Sequence, residues 1–192
     1  RFTGNSLGFI EWKGKDRIYV PKTGTSITPD IAKPTYRHLK NISVLDHTAT
    51  RVRAQDRNAA ILEFVALTNY HYDFAVHVKS LNSITSVARH DTDDFAMVFT
   101  SGITPFTNDA ESGPTEKFIQ NYGTRVHHMA FRTKNIAATV ETLKKDGMAF
   151  LLDLVGSEKE GLRQIFSEPS QNTFIVTEYI QRYGDFDGFF TR

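Results

Sequence analysis

Cysteine is absent from the 192 residues, so any metal must be held by His, Asp or Glu, and seven His are available. That removes thiolate sites, cysteine nucleophiles and disulfide frameworks together. Two of the His stand out by repetition. His47 opens H-T-A-T-R and His128 opens H-M-A-F-R, two copies of H-x-A-x-R. Glu178 lies inside the apolar run F-I-V-T-E-Y-I, where a carboxylate is costly to bury unless paired or bound to a metal. Two neutral imidazoles and one carboxylate are the facial triad of non-haem Fe(II) oxygenases, which leaves positions open for substrate and O2. A lone His on a strand is commonly a structural residue, and on pattern alone both readings stay open. His38, His71, His77 and His90 are expected at the surface or in ordinary hydrogen bonds. Asp91, Asp93 and Asp94 read as a solvated turn, without the ordered spacing and closing Glu of a calcium loop. No P-loop, G-x-G-x-x-G or G-x-S-x-G occurs.

The elements that must position these groups come in two sets. Residues 45–52 alternate as a strand, Asp56 is a candidate N-cap, and Ile61, Phe64, Val65 and Thr68 form a helical stripe. Residues 72–78, 84–90 and 95–100 read as three further strands. After a loop over 101–113 and a short helix over 115–122, the order recurs. It runs as a strand at 125–132, a helix capped by Asn135 and stopped by Gly147, then strands at 148–152, 162–167 and 173–181. The chain thus holds two βαβββ units, about 44–100 and 125–181, with H-x-A-x-R in the first strand of each. Strand alternation puts His47, Ala49 and Arg51 on one face with Asp46 opposite, and His128, Ala130 and Arg132 on one face with His127 opposite. Packed as pseudo-symmetric halves, the units bring His47 and His128 together. The first-unit counterpart of Glu178 falls near residues 97–99, which hold no carboxylate. One site built from two repeats is expected. Residues 1–43 read as a linker, with a hairpin of 7–12 and 17–20 about Lys13-Gly14-Lys15 and an irregular stretch around Pro21, Pro29 and Pro34. Residues 44–192 read as the catalytic domain.

Lys plus Arg number 23 against 22 Asp plus Glu, so the charge supplies no reason to expect nucleic acid or an anionic membrane as partner. Hydrophobic residues at 40% and aromatics at 12% are enough for a core and exclude global disorder. No run of 18 apolar residues and no charged-then-apolar leader is visible. The missing cysteines fit a reducing compartment, and a cytoplasmic location is expected.

Residues 126–131 (V-H-H-M-A-F), Asn135-Ile136, 161–169 (G-L-R-Q-I-F-S-E-P) and 174–182 (F-I-V-T-E-Y-I-Q-R), with Leu45-Asp46-His47 ahead of them, resemble the 4-hydroxyphenylpyruvate dioxygenase family. That family shows V-Q-H-x-A-like, Q-I-F-x-x-P and F-x-E-x-I-Q-R strands. The likeness runs over almost the whole chain. It implies an α+β vicinal oxygen chelate fold, in which paired βαβββ modules form a half-open β-barrel around a metal. Carried over, it makes His47, His128 and Glu178 the Fe(II) ligands and Gln164 and Phe166 catalytic and pocket residues. Ser83, Phe186 and Phe190 become further substrate-binding positions. It implies an aromatic 2-oxo acid and O2 as substrates, oxidative decarboxylation and ring hydroxylation to homogentisate, and a place in tyrosine catabolism. A homo-oligomer is compatible with it. It also implies the catalytic half of a longer chain, so the ends at Arg1 and Arg192 are expected to be cuts. There are departures. His127 replaces a common Gln, Ile103 stands where a pocket Asn is usual, and residues 114–118 (P-T-E-K-F) offer no match to a further Gln. These leave open a hydroxymandelate synthase, an extradiol dioxygenase, a glyoxalase-type isomerase, or a metal-free binding protein of the same fold.

Overall fold

The computed structural model describes residues 1–15, 24–25, 27–28, 30–32, 35–92 and 94–189. Its elements run β1 (Ile42–Arg51), α1 (Arg57–Leu67), β2 (His71–Val78), β3 (Ser83–Arg89), β4 (Ala96–Gly102), α2 (Pro114–Tyr122), β5 (Arg125–Thr133), α3 (Ile136–Lys145), β6 (Val155–Ser157), β7 (Leu162–Phe166) and β8 (Val176–Arg182). The strands form one curled half-barrel sheet in the order β2-β3-β4-β1-β5-β8-β7-β6. That order is a palindrome of the two repeats, which meet where β1 pairs antiparallel with β5.

The duplication extends to register. His47 pairs with Ala96 and His128 with Val176; Ala49 pairs with Val98 and Ala130 with Glu178. Each strand that carries one of these histidines is thus joined in parallel to the last strand of its own unit, and the counterpart of Glu178 is Val98. The helices cover the convex face. α1 sets Ala60 and Ile61 against Val52, Ala88 and Phe99, and α3 sets Ile136, Val140 and Leu143 against Ile165 and Tyr179. On the concave face Ala49, Val87, Ala96 and Val98 pack with Phe189.

Local signals explain the helix ends. Asn135 caps α3 by accepting from the Ala138 amide at 3.1 Å. Gly147, at φ 89°, closes α3 as the Leu143 carbonyl accepts from Met148 and the Lys144 carbonyl from Gly147, a Schellman end. Asp56 occupies the N-cap position of α1 but makes no side-chain cap bond.

Three expected elements differ. Residues 148–152 form no strand: Phe150 makes a single bridge to Ser167, and β6 forms later, at Val155–Ser157. The apolar run there serves another purpose, since Met148, Phe150 and Leu154 pack on the α3 side of the core while Leu151 and Leu152 are exposed. β8 starts at Val176 because Phe174 takes a positive φ of 58° in a turn closed onto Ser170. Residues 7–12 form no strand. The proposed partner strand 17–20 and Pro21, Pro29 and Pro34 lie outside the described residues, as do Asp93 and Phe190. Among the described residues no helix is long and apolar enough to cross a membrane.

Candidate metal centre

His47 on β1, His128 on β5 and Glu178 on β8 converge on the concave face, with one ligand atom from each lying within 4.8 Å of the others. Glu178 Oε2 stands 3.1 Å from His47 Nε2 and 3.4 Å from His128 Nε2. Ligands at right angles around a metal about 2.1 Å away stand about 3 Å apart, so Glu178 Oε2 stands from each imidazole nitrogen at close to the separation of two ligands on one ion. The donor set, two imidazoles and one carboxylate, suits Fe(II) and related divalent ions. Glu178 is 1% exposed, and such a carboxylate needs a cation or proton beside it.

Two bulges shape the next layer. Leu45 pairs with Phe131 and His47 with Ala130, so Asp46 is an extra residue on β1. Ala49 pairs with His128 and Thr50 with Val126, so His127 is an extra residue on β5. A bulge breaks the two-residue alternation. The expectation that Asp46 and His127 point away from their neighbours is therefore corrected. Asp46 Oδ1 lies 3.0 Å from His47 Nδ1, and His127 Nδ1 lies 2.8 Å from His128 Nδ1.

Asp46 is itself clamped from two other strands. Arg132 donates to Oδ2 from Nε at 3.0 Å, and Arg182 donates to Oδ2 from Nε at 3.1 Å and to Oδ1 from Nη2 at 2.9 Å. Burial would raise the Asp46 carboxyl, but hydrogen bonds from His47 and Arg182 hold it far below the usual carboxylate range. Burial also opposes a charge on His47, yet Glu178 and Asp46 outweigh it and raise the imidazole above its ordinary 6.5. His128 goes the other way, pushed well down by burial and then by the charge of His47.

This sets a pH dependence with two opposed signs. A histidine raised on folding contributes stability that is fully present below its ordinary 6.5 and is lost as pH climbs through the folded value. The metal-free protein should accordingly lose stability above 6.5. Metal binding needs Nε2 bare, so affinity should fall as pH is lowered through that same raised value. Metal titrations from about pH 6 to about pH 9 check it; an affinity flat over that range contradicts it.

The remaining expected residues are spread unevenly. The Phe166 ring meets the His128 ring edge-on at 5.5 Å. Gln164, with its amide nitrogen toward Glu178, donates to Oε1 at 3.0 Å and to the Phe189 carbonyl at 3.3 Å. It thus holds a ligand and the chain that covers the centre. Ser83 is buried at the start of β3, where alternation puts it on the concave face with Val87. Phe186 packs flush against Gly161 and Gly188, and no ring contact joins it to the ligands. Phe189, absent from the sequence reading, reaches the centre: its ring meets His47 edge-on at 4.8 Å. A cavity of about 730 Å³ opens beside it, lined by Asp46, Arg132, Arg182, Arg89, Phe186 and Phe189 among others. The three candidate ligands do not line this cavity, and Phe189 both lines it and touches His47.

No family model matches the sequence, and no curated protein matches it. Solved structures do. A variant of 4-hydroxymandelate synthase from Streptomyces coelicolor superposes with a TM-score of 0.65 at 21% identity, over 77% of this chain and 50% of that one. Methylmalonyl-CoA epimerase from Mycobacterium tuberculosis gives 0.61 at 14% identity, over 75% and 91%. A variant of the Streptomyces coelicolor epimerase, in complex with 2-nitronate-propionyl-CoA, gives 0.58 at 17% identity, over 73% and 95%. The chain spans about half the length of the synthase and nearly all of the epimerases. At these identities the likeness is one of architecture. With the palindromic sheet and the repeated register, it establishes that this chain has the vicinal oxygen chelate fold.

Proposed function

We propose that the chain is an Fe(II)-dependent dioxygenase of the 4-hydroxyphenylpyruvate type, acting on an aromatic 2-oxo acid in the cytoplasm. The observation that carries this reading is the ligand set with Val98 at the repeat position of Glu178. Three protein ligands use half of a six-coordinate sphere, and the remaining positions would take a bidentate 2-oxo acid and O2. The epimerase likeness is one of fold and does not bear on the ligand set. Fe(II), when bound, supplies the redox chemistry by which O2 drives decarboxylation of the 2-oxo acid and hydroxylation of its ring.

The chain's own residues do the rest. His47, His128 and Glu178 set the coordination geometry. Gln164 keeps Glu178 oriented, and Asp46 keeps His47 oriented. Phe166 and Phe189 stand edge-on to His128 and His47, and their rings suit an aromatic substrate packed edge-on or offset.

The test is O2 consumption by the Fe(II)-loaded protein with 4-hydroxyphenylpyruvate, with CO2 release and product identification. Uptake with CO2 and homogentisate supports the reading, and hydroxymandelate would move it to the sister reaction. Uptake without CO2 points to an extradiol enzyme. Neither uptake nor CO2 release overturns the dioxygenase reading in favour of an isomerase or a binding protein.

A further inference from the structure

The bulges on β1 and β5 occupy equivalent places in the two repeats, each immediately before a candidate ligand. Each lifts one residue to the Nδ1 of the histidine that follows it. Position 46 supplies a carboxylate and position 127 an imidazole, so the two ligands are held by unlike partners.

The tautomers of the second pair follow from geometry. His128 turns Nε2 toward Glu178, at 3.4 Å. A neutral imidazole with Nε2 bare for a metal carries its proton on Nδ1. That proton has His127 Nδ1 in front of it at 2.8 Å. His127 must then present a bare Nδ1 and keep its own proton on Nε2. Its ring is fixed for the task. It meets the Phe118 ring edge-on at 5.0 Å, and the Arg51 guanidinium covers Phe118 at 4.6 Å while donating to the Pro114 carbonyl at 3.3 Å. The motif arginines cross over: Arg132 of the second repeat clamps Asp46 of the first, and Arg51 of the first backs the pocket of His127 in the second.

We propose that His127 is a positioning residue that accepts the Nδ1 proton of His128, holding that ring in the tautomer and orientation that offer Nε2 to a metal. It is the neutral counterpart of Asp46. The inference rests on His47, His128 and Glu178 being the metal ligands.

The test uses the full chain loaded with Zn(II), which is diamagnetic, and ¹⁵N-labelled histidine. Expected are one protonated and one bare Nδ1 with a coupling across the hydrogen bond between them. His127→Phe, which offers no acceptor, should weaken Zn(II) and Fe(II) binding by about 10–100-fold. His127→Gln, whose amide oxygen accepts, should return affinity to within about threefold. A zinc-loaded wild type without the coupling, or a folded His127→Phe protein binding like wild type, overturns the inference. If His127→Phe does not fold, the coupling and the His127→Gln protein decide. A wild type that binds neither ion overturns the metal reading itself, and this inference with it.

Discussion

Glu178→Ala is expected to abolish turnover and to weaken divalent-metal binding by more than the roughly 10–100-fold that loss of an outer partner costs. Glu178 is the anionic one of the three candidate ligands, and its Oε2 faces both imidazoles. Without it two neutral donors remain, and a divalent ion at this depth loses its balancing charge. The variant also removes the first counter-charge of His47, so the pH dependence of metal-free stability should flatten. Elemental analysis after Fe(II) loading, with thermal melts across pH, measures both. Metal content and turnover equal to wild type would place the metal, or the function, elsewhere.

Asp46→Ala should be the most destabilising substitution around the centre. Asp46 is 4% exposed and accepts from His47, Arg132 and Arg182. Removing it takes the carboxylate partner from two guanidiniums, one of them on an 11% exposed side chain. Breaking a buried ion pair by removing one partner costs about 3–5 kcal/mol, which at this chain length lowers the melting temperature by about 10 °C. Arg182 also donates to the Gly188 carbonyl, so the loss should loosen the segment that carries Phe189 over His47. Metal affinity should fall as well, by about 10–100-fold. An unfolding free energy within about 1 kcal/mol of wild type, the scale of an exposed pair, would show that the cluster is not structural.

Much of the centre was legible in the chain because the repeat carries its own register. H-x-A-x-R occurs at equivalent points of β1 and β5, so the duplication by itself brings His47 and His128 to a common concave face, and residues 97–99 hold no carboxylate. Helix α3 was legible too, because its Asn135 cap and Gly147 stop act within a few residues. The failures have a common cause. Residues 148–152 look like a strand locally, but the neighbouring strand offers them one bridge, and their apolar side chains go to the α3 core. Phe189, which carries no local signal, reaches His47 because the closing segment is placed by contacts from Arg89 and Arg182, on β3 and β8.

Residue types, repeat spacing and one carboxylate in an apolar run single out the candidate ligands along the chain. The layer behind them comes from the pairing of strands. Asp46 and His127 serve the ligands because each is the unpaired residue of a bulge, and a bulge is a property of two strands in register. Arg132 and Arg182, 86 and 136 residues from Asp46, reach it for the same reason. Alternation along one strand describes a regular ladder, and the site is built where the ladder is irregular.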